Sequence, residues 1–316
     1  MGEFELIRQY FQPMADSARQ GQLILGPGDD CAIQRVPPGR DLVFSVDTLV
    51  EGVHFPPNYP PEYLGWRSLA VAVSDLAAMG ADPVCFTLAL SLPRAEPEWL
   101  AGYSRGLARA SAAFDIALAG GDTTRGPLTI TLQVHGTVQE GLALQRSGAR
   151  AGDLVCVTGP LGDAGAALDF LETAAPTDDQ QAVLARYHYP EPRLQLGAAL
   201  VGKASAAIDI SDGLLSDLQH ILDASGVGAE LDADKIPLSP ALVALKGNEA
   251  LSYALSAGDD YQLCLTMADD QLSALDLHVR NQLITIGRIH SEAGLRVKNA
   301  ENIGSRQGYD HFGRSV

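Results

Sequence analysis

Five short acidic motifs carry the chemistry this chain could perform. They are Gly26-Pro27-Gly28-Asp29-Asp30, Ser45-Val46-Asp47-Thr48, Ser74-Asp75, Gly120-Gly121-Asp122-Thr123-Thr124-Arg125-Gly126 and Asp209-Ile210-Ser211-Asp212-Gly213. Gathered by a fold, these carboxylates would repel one another, because like charges ~4 Å apart cost several kcal/mol at intermediate dielectric. Cations among them remove that cost. Hard oxygen ligands on glycine-rich turns suit Mg²⁺, and Mg²⁺ in such sites usually carries phosphates. The chemistry this points to is phosphoryl transfer.

The elements that must position the motifs alternate. Residues 42–46 read as a strand, 61–79 as an apolar-periodic helix stopped by Gly80, and 84–92 as a strand. A helix over 96–114 and strands over 115–119 and 128–138 complete a first α/β half. Residues 141–152 form a loop dense in Gly, Arg and Ser, and the domain boundary is set there, giving domains 1–145 and 146–316. The second half repeats the pattern, with helices over 162–171, 192–201 and 214–224. Its strands are expected over 154–158, 206–210, 262–267 and 283–288. Residues 176–181 read as a mobile polar connector.

Each motif has a plainer alternative. Gly26–Asp30 is compatible with a simple tight turn. Asp47 lies at the expected end of a buried strand, where open α/β sheets place ligands, but it also suits a cap. Asp75 is more telling. It sits among Val71, Ala72, Leu76, Ala77 and Met79, and no Lys or Arg stands three or four positions away. A buried carboxylate must be paired, protonated or bound to metal. Gly120 and Gly121, expected as a turn after the strand, would let the backbone approach a phosphate while Asp122 takes a metal. Asp209–Gly213 repeats that device before an amphipathic helix, whose first N–H groups favour an anion. An ordinary helix cap accounts for Asp212 or Ser211 but not for Asp209.

Gly197–Lys203 imitates a P-loop, but Ala204 stands where a Mg²⁺-binding hydroxyl belongs and the run closes a helix, so it is set aside as a nucleotide site. Neither a Gly-x-Ser-x-Gly elbow nor a His-Glu-x-x-His pair occurs, which removes the common hydrolase chemistries. With 22 Lys and Arg against 39 Asp and Glu, the net charge of −17 argues against nucleic acid or an anionic membrane as partner. No signal peptide or spanning segment is read, and Cys31, Cys85, Cys156 and Cys264 form no CxxC pair. The expectation is a cytoplasmic protein whose thiols are reduced and buried.

Taken together, Gly26–Asp30, Val46–Phe55, Ala70–Ala81, Gly120–Thr124, Ile208–Leu214 and Gly258-Asp259-Asp260-Tyr261 closely resemble the thiamine-monophosphate kinases, and the match runs in order over essentially the whole chain. That family belongs with aminoimidazole ribonucleotide synthetase and selenophosphate synthetase. The resemblance implies a two-domain α/β fold of mixed α+β type and a homodimer built through the N-terminal domains. It also implies ATP as co-substrate, several Mg²⁺ and, as an optional addition, a monovalent cation. It suggests Asp30, Ser45, Val46, Asp47, Asp75, Asp122, Asp209 and Asp212 as metal ligands. Gly121, Asp122, Arg146 and Ser211 are suggested for ATP, and His54, Asp259 and Tyr309 for thiamine phosphate. Asp47, Asp75, Asp122 and Arg146 would carry the catalysis. Relatives often have Thr at position 46, where Val46 offers only its carbonyl, and some have Glu at position 259.

On this reading the γ-phosphoryl group of ATP passes directly to the phosphate of thiamine monophosphate. A phosphate with a second pKa near ~6 is already largely dianionic at neutral pH, so no general base is needed. The difficulty is bringing two anions together, a task for Mg²⁺ ligands and positioning. The rivals are an aminoimidazole-ribonucleotide-synthetase-like ligase and a silent Mg²⁺·nucleotide sensor.

Overall fold

The computed structural model describes residues 3–13 and 21–300, so the expectation for Tyr309 lies outside the described residues. The chain divides into two compact units, one of Met1–Leu76 with Ala81–Ala143 and one of Ala77–Gly80 with Leu144–Val316.

In the first unit, β1 (Leu23–Leu25) and β2 (Ile33–Gln34) pair as a small antiparallel ribbon. Strands β3 (Arg40–Val50), β4 (Asp82–Leu92), β5 (Ala117–Arg125) and β6 (Thr129–Gln139) form a sheet in the order β3-β6-β4-β5. Only β4 and β5 run parallel, and the helix Pro97–Ala113 lies between them in the chain, as a parallel crossover demands. Alternation sorts the two faces. Ile130, Leu132 and Val134 of β6 and Phe86, Leu88 and Leu90 of β4 are buried, whereas Thr131, Gln133 and His135 between them are not. The helix Pro61–Ala78 is buried nearly all round, with Leu64, Leu69, Ala72, Val73 and Leu76 fully enclosed.

Two expectations change here. The strand expected over 42–46 is not a short buried one: β3 runs for eleven residues at the sheet edge, paired with β6 from Arg40↔Gln139 to Val50↔Thr129. Nor does the fifth strand end before Gly120. It continues through Gly120-Gly121-Asp122-Thr123-Thr124 to Arg125, each residue paired with β4. Gly121 is glycine for the sake of that pairing, since a Cβ there would lie 2.0 Å from the Leu88 carbonyl oxygen.

The second unit is a six-stranded sheet in the order β12-β9-β11-β7-β10-β8. Its strands are β7 (Leu154–Val157), β8 (Ala206–Asp209), β9 (Gly228–Asp232), β10 (Leu263–Met267), β11 (Ile284–His290) and β12 (Gly294–Lys298). Both faces are covered, which explains why every residue of β7, β8 and β10 is buried and nearly all are apolar. Val155, Val157 and Ile208 pack on one side with Leu214, Leu218 and Ile221 of the helix Leu214–Ser225. Leu154, Cys156 and Leu265 pack on the other with Leu196 and Leu200 of the helix Leu194–Leu200 and with Ala77 and Ala78.

The connector expected over 176–181 is instead a helix start. Thr177 accepts the N–H of Gln180 and the Gln180 side chain accepts the N–H of Thr177, a capping box that opens the helix Asp178–His188. Gly197–Lys203 does span a helix end, with Lys203 donating to the Ala199 carbonyl. Strands β9 and β12 and the helices Pro240–Lys246 and Ala250–Ser256 have no counterpart in the sequence reading. Cys85, Cys156 and Cys264 are buried thiols, but Cys31 is exposed, contrary to the expectation for all four.

Candidate functional site

The first unit brings Ser45, Asp47 and Asp75 together. Ser45 and Asp47, two apart on β3, share one face of the strand, and the Ser45 hydroxyl donates to Asp75 Oδ2 on the helix Pro61–Ala78. Asp47 has its pKa pushed up to about 7, first by burial and second by the negative charge of Asp75. Two carboxylates and a hydroxyl thus crowd one place, at a cost that a divalent cation would lift.

Asp122 is not part of that group. Register follows Asp47 across the sheet to Leu132, Leu88 and Gly121, so Asp47 shares its face with Gly121. The next row runs Thr48, Thr131, Ala89, Asp122, and a contact of 2.9 Å between the Thr48 and Thr131 hydroxyls lies on it. Asp122 therefore points to the other face. Three strand spacings, about 14 Å, also separate β3 from β5. Val46 shares the Asp122 face and is exposed.

Asp30 is exposed in the turn before β2, where its N–H donates to Asp29 Oδ1. His54 Nδ1 accepts the N–H of Val50 at 3.0 Å, which fixes the ring at the end of β3 with its proton on Nε2. Among the described residues no three His, Cys, Asp or Glu side chains form a ready-made cation cage.

In the second unit Asp209 closes β8 and is buried, and the loop Ser211-Asp212-Gly213 leads into the helix Leu214–Ser225. Asp217, absent from the sequence reading, organises this loop. Its Oδ2 accepts the N–H groups of Ser211, Asp212 and Gly213, each at 3.1 Å. Burial pushes its pKa up to about 7 even though those bonds favour the charged form. This carboxylate thereby occupies the three N–H groups that lead into the helix, ahead of the helix's own first N–H groups. The available signal was an acidic residue in the first turn of a helix.

Asp259 belongs to the same assembly. Its N–H donates to the Ser211 carbonyl, that of Tyr261 donates to the Ile210 carbonyl, and the Tyr261 hydroxyl donates to Asp259 Oδ1. Gly258 has no room for a side chain, since a Cβ would lie 2.2 Å from the Ser211 oxygen. Asp259 and Tyr261 both have positive φ, 68° and 49°. Such backbone costs of order 1–2 kcal/mol per residue and tends to gather at functional sites. Arg146 stands elsewhere. Its carbonyl accepts from Ser225 at the far end of the helix Leu214–Ser225, so its backbone does not join Ser211 and Asp212.

Residues 28–138 match the AIR synthase related protein N-terminal domain and residues 150–298 its C-terminal domain. The chain is 44% identical over 323 residues to the thiamine-monophosphate kinase of Salmonella typhimurium, covering 98% of each. It is also 44% identical over 321 residues to that of Escherichia coli, again covering 98% of each. Among solved structures, the thiamine-monophosphate kinase from Stenotrophomonas maltophilia superposes with a TM-score of 0.86 at 42% identity, over 93% of this chain and 96% of that one. AaThiL complexed with AMPPCP and TMP superposes at 0.81 with 31% identity, over 98% and 97%.

Proposed function

The chain belongs to the AIR synthase related family and, within it, to the thiamine-monophosphate kinases, and on that premise we propose that it phosphorylates thiamine monophosphate with ATP, giving thiamine diphosphate and ADP. The observation that carries the mechanism is the meeting of Ser45, Asp47 and Asp75. This set is all hard oxygen, carries up to two negative charges, and has at Asp47 a proton affinity raised by burial and then by the Asp75 charge, which fits Mg²⁺. Asp47 and Asp75 would hold one cation with Ser45; Asp30, Asp122 and the Val46 carbonyl in the first unit, and Asp209 and Asp212 in the second, are kept as ligands of further Mg²⁺ ions. The chemistry such a cation would supply is neutralisation of charge on the transferring phosphoryl group.

The chain's own residues then position the reactants. Asp217 holds the backbone of Ser211–Gly213 so that the side chains of Ser211 and Asp212 are set for the nucleotide end. Asp259, fixed against Ser211, sets the distance between that end and the acceptor. We keep Gly121 and Arg146 for ATP, and His54, Asp259 and Tyr309 for thiamine monophosphate, with residues 1–145 and 146–316 as the two functional domains. No residue in the set is needed as a proton acceptor.

The reading includes a second copy of the chain. One chain cannot bring Asp47 and Asp122 to one cation, since they lie at opposite edges and on opposite faces of the sheet. The Asp122 face carries Phe44 and Val46, each 61% exposed, beside Leu42 at 42%. Such an apolar row on an edge strand invites a covering surface, and a second chain meeting the β3 edge would bring its own Asp122 within reach of the first chain's Asp47. A cytoplasmic location completes the proposal, and among the described residues no helix is long and apolar enough to cross a membrane. The deciding experiment is identification of products after mixing the protein with Mg·ATP and thiamine monophosphate. Equimolar thiamine diphosphate and ADP are expected, and ATP consumption without thiamine diphosphate would refute the assignment.

A further inference from the structure

Arg193 is a half-buried cation without an ion pair among the described residues. Strands β7 and β8 both run antiparallel to β10, so their C-terminal ends emerge on the same side of the sheet, where Thr158, Leu263 and Asp209 lie in one row. Thr158 and Asp209 are two strand spacings apart, about 10 Å. Ligands of α/β sheets gather at such an end. Gln262, buried just before β10, accepts two hydrogen bonds on Oε1, from the Thr158 hydroxyl and from Arg193 Nε, both at 2.9 Å. The Gln262 carbonyl in turn accepts the Ile210 N–H at 2.8 Å, linking this arrangement to the Asp209–Asp212 loop. Arg193 Nη2 lies against Gly159, 3.3 Å from where a Cβ would stand, so the glycine gives the guanidinium its place.

Among the described residues Nε is the only guanidinium nitrogen with a partner, and none of their carboxylates lies within ion-pair distance. Its nearest acidic influence, Glu191, is paired with Arg186 at 3.9 Å. Burial pulls the Arg193 pKa down, as befits a cation partly removed from water without a counterion. Holding it that way is costly unless a ligand supplies the anion. The terminal nitrogens present a planar fork that matches two phosphate oxygens.

We propose that Arg193, oriented by Gln262, binds a phosphate group of a substrate at the Asp209 end of the second unit's sheet. The inference rests on the kinase reading. Its phosphate has two sources, the acceptor monophosphate and the nucleotide, and the test separates them. Binding of thiamine monophosphate, of thiamine and of AMPPCP with Mg²⁺ is measured by calorimetry for wild type, Arg193→Gln and Arg193→Lys. Charge-assisted contacts of this kind predict a loss of about 10- to 100-fold for one phosphorylated ligand in Arg193→Gln. Arg193→Lys keeps the charge but not the fork and recovers part of it. Thiamine, which has no phosphate, binds as in wild type. A loss confined to thiamine monophosphate identifies the acceptor phosphate, and one confined to AMPPCP the nucleotide. Unchanged binding of both, or an equal loss for thiamine, overturns the inference while leaving the kinase reading intact. If wild type binds neither phosphorylated ligand, both readings fall. Should Arg193→Gln unfold, Gln262→Glu, which gives the guanidinium an internal counterion, is expected to weaken the same phosphorylated ligand, and normal binding there is equally fatal.

Discussion

The hydroxyl of Ser45 donates a hydrogen bond to Asp75 Oδ2, tying the middle of an edge strand to the C-terminal end of a buried helix. Asp75 thus meets the Ser45 hydroxyl and lies close enough to Asp47 for their charges to repel. The arrangement is tolerable without metal and favourable with it.

Replacing Asp75 by Asn keeps the Ser45 contact while removing the charge. Turnover is expected to fall by at least ~10³-fold, in the range of lost electrostatic catalysis, and EDTA should abolish wild-type activity. In chelated protein the same variant should melt higher than wild type, because a repulsion has gone. Turnover near wild type would remove Asp75 from the ligand set.

Asp47 gives a pH dependence with a definite sign. Its folded pKa of about 7 lies above the ordinary 3.8, so between those values the folded state binds more protons than the unfolded one. Stability of the chelated protein is highest below about pH 4 on this account and declines as pH rises to about 7. Asp47→Asn should flatten that decline. A variant whose melting temperature still falls as steeply as that of wild type over this window contradicts the assignment.

Asp217 controls three N–H groups at once. Asp217→Ala should raise KM for ATP about 10-fold and cost about 1–3 kcal/mol of stability, since buried donors lose their acceptor. Asp217→Asn retains an acceptor oxygen and should recover most of the KM. If Asn and Ala raise KM equally, the loop does not depend on this acceptor.

The separation of Asp47 and Asp122 permits a complementation test. Each of Asp47→Asn and Asp122→Asn should be inactive alone. Co-refolded in equal amounts, they should recover up to about a quarter of wild-type activity, because half of a random two-fold assembly is mixed and each mixed pair has one intact site. Failure to recover activity, with mixed dimers demonstrated by mass, would return both aspartates to a single chain's site.

Much of this protein was written in local patterns. The apolar helix Pro61–Ala78, the buried strands β7, β8 and β10, and the motifs around Asp47, Asp75 and Asp209 follow from periodicity and from residue types that resist burial without a partner. Those patterns reached as far as the phosphoryl-transfer chemistry. The capping box at Thr177 was also present in the sequence, hidden by a run of polar residues that resembles a connector.

Tertiary structure alone decided which motifs meet. Nothing local tells that Gly120–Arg125 is strand and not turn, because its glycines serve the approach of the Leu88 carbonyl from another strand. Sheet order and register, which come from pairing across distant parts of the chain, put Asp47 with Asp75 and sent Asp122 to the opposite face. A period-two backbone makes a single residue's offset enough to reverse a side chain. The same holds for Asp217 and Arg193, which look like ordinary helix-terminus charges in the sequence. Their roles arise only where β7, β8 and β10 end together and a buried glutamine fixes the guanidinium beside the loop.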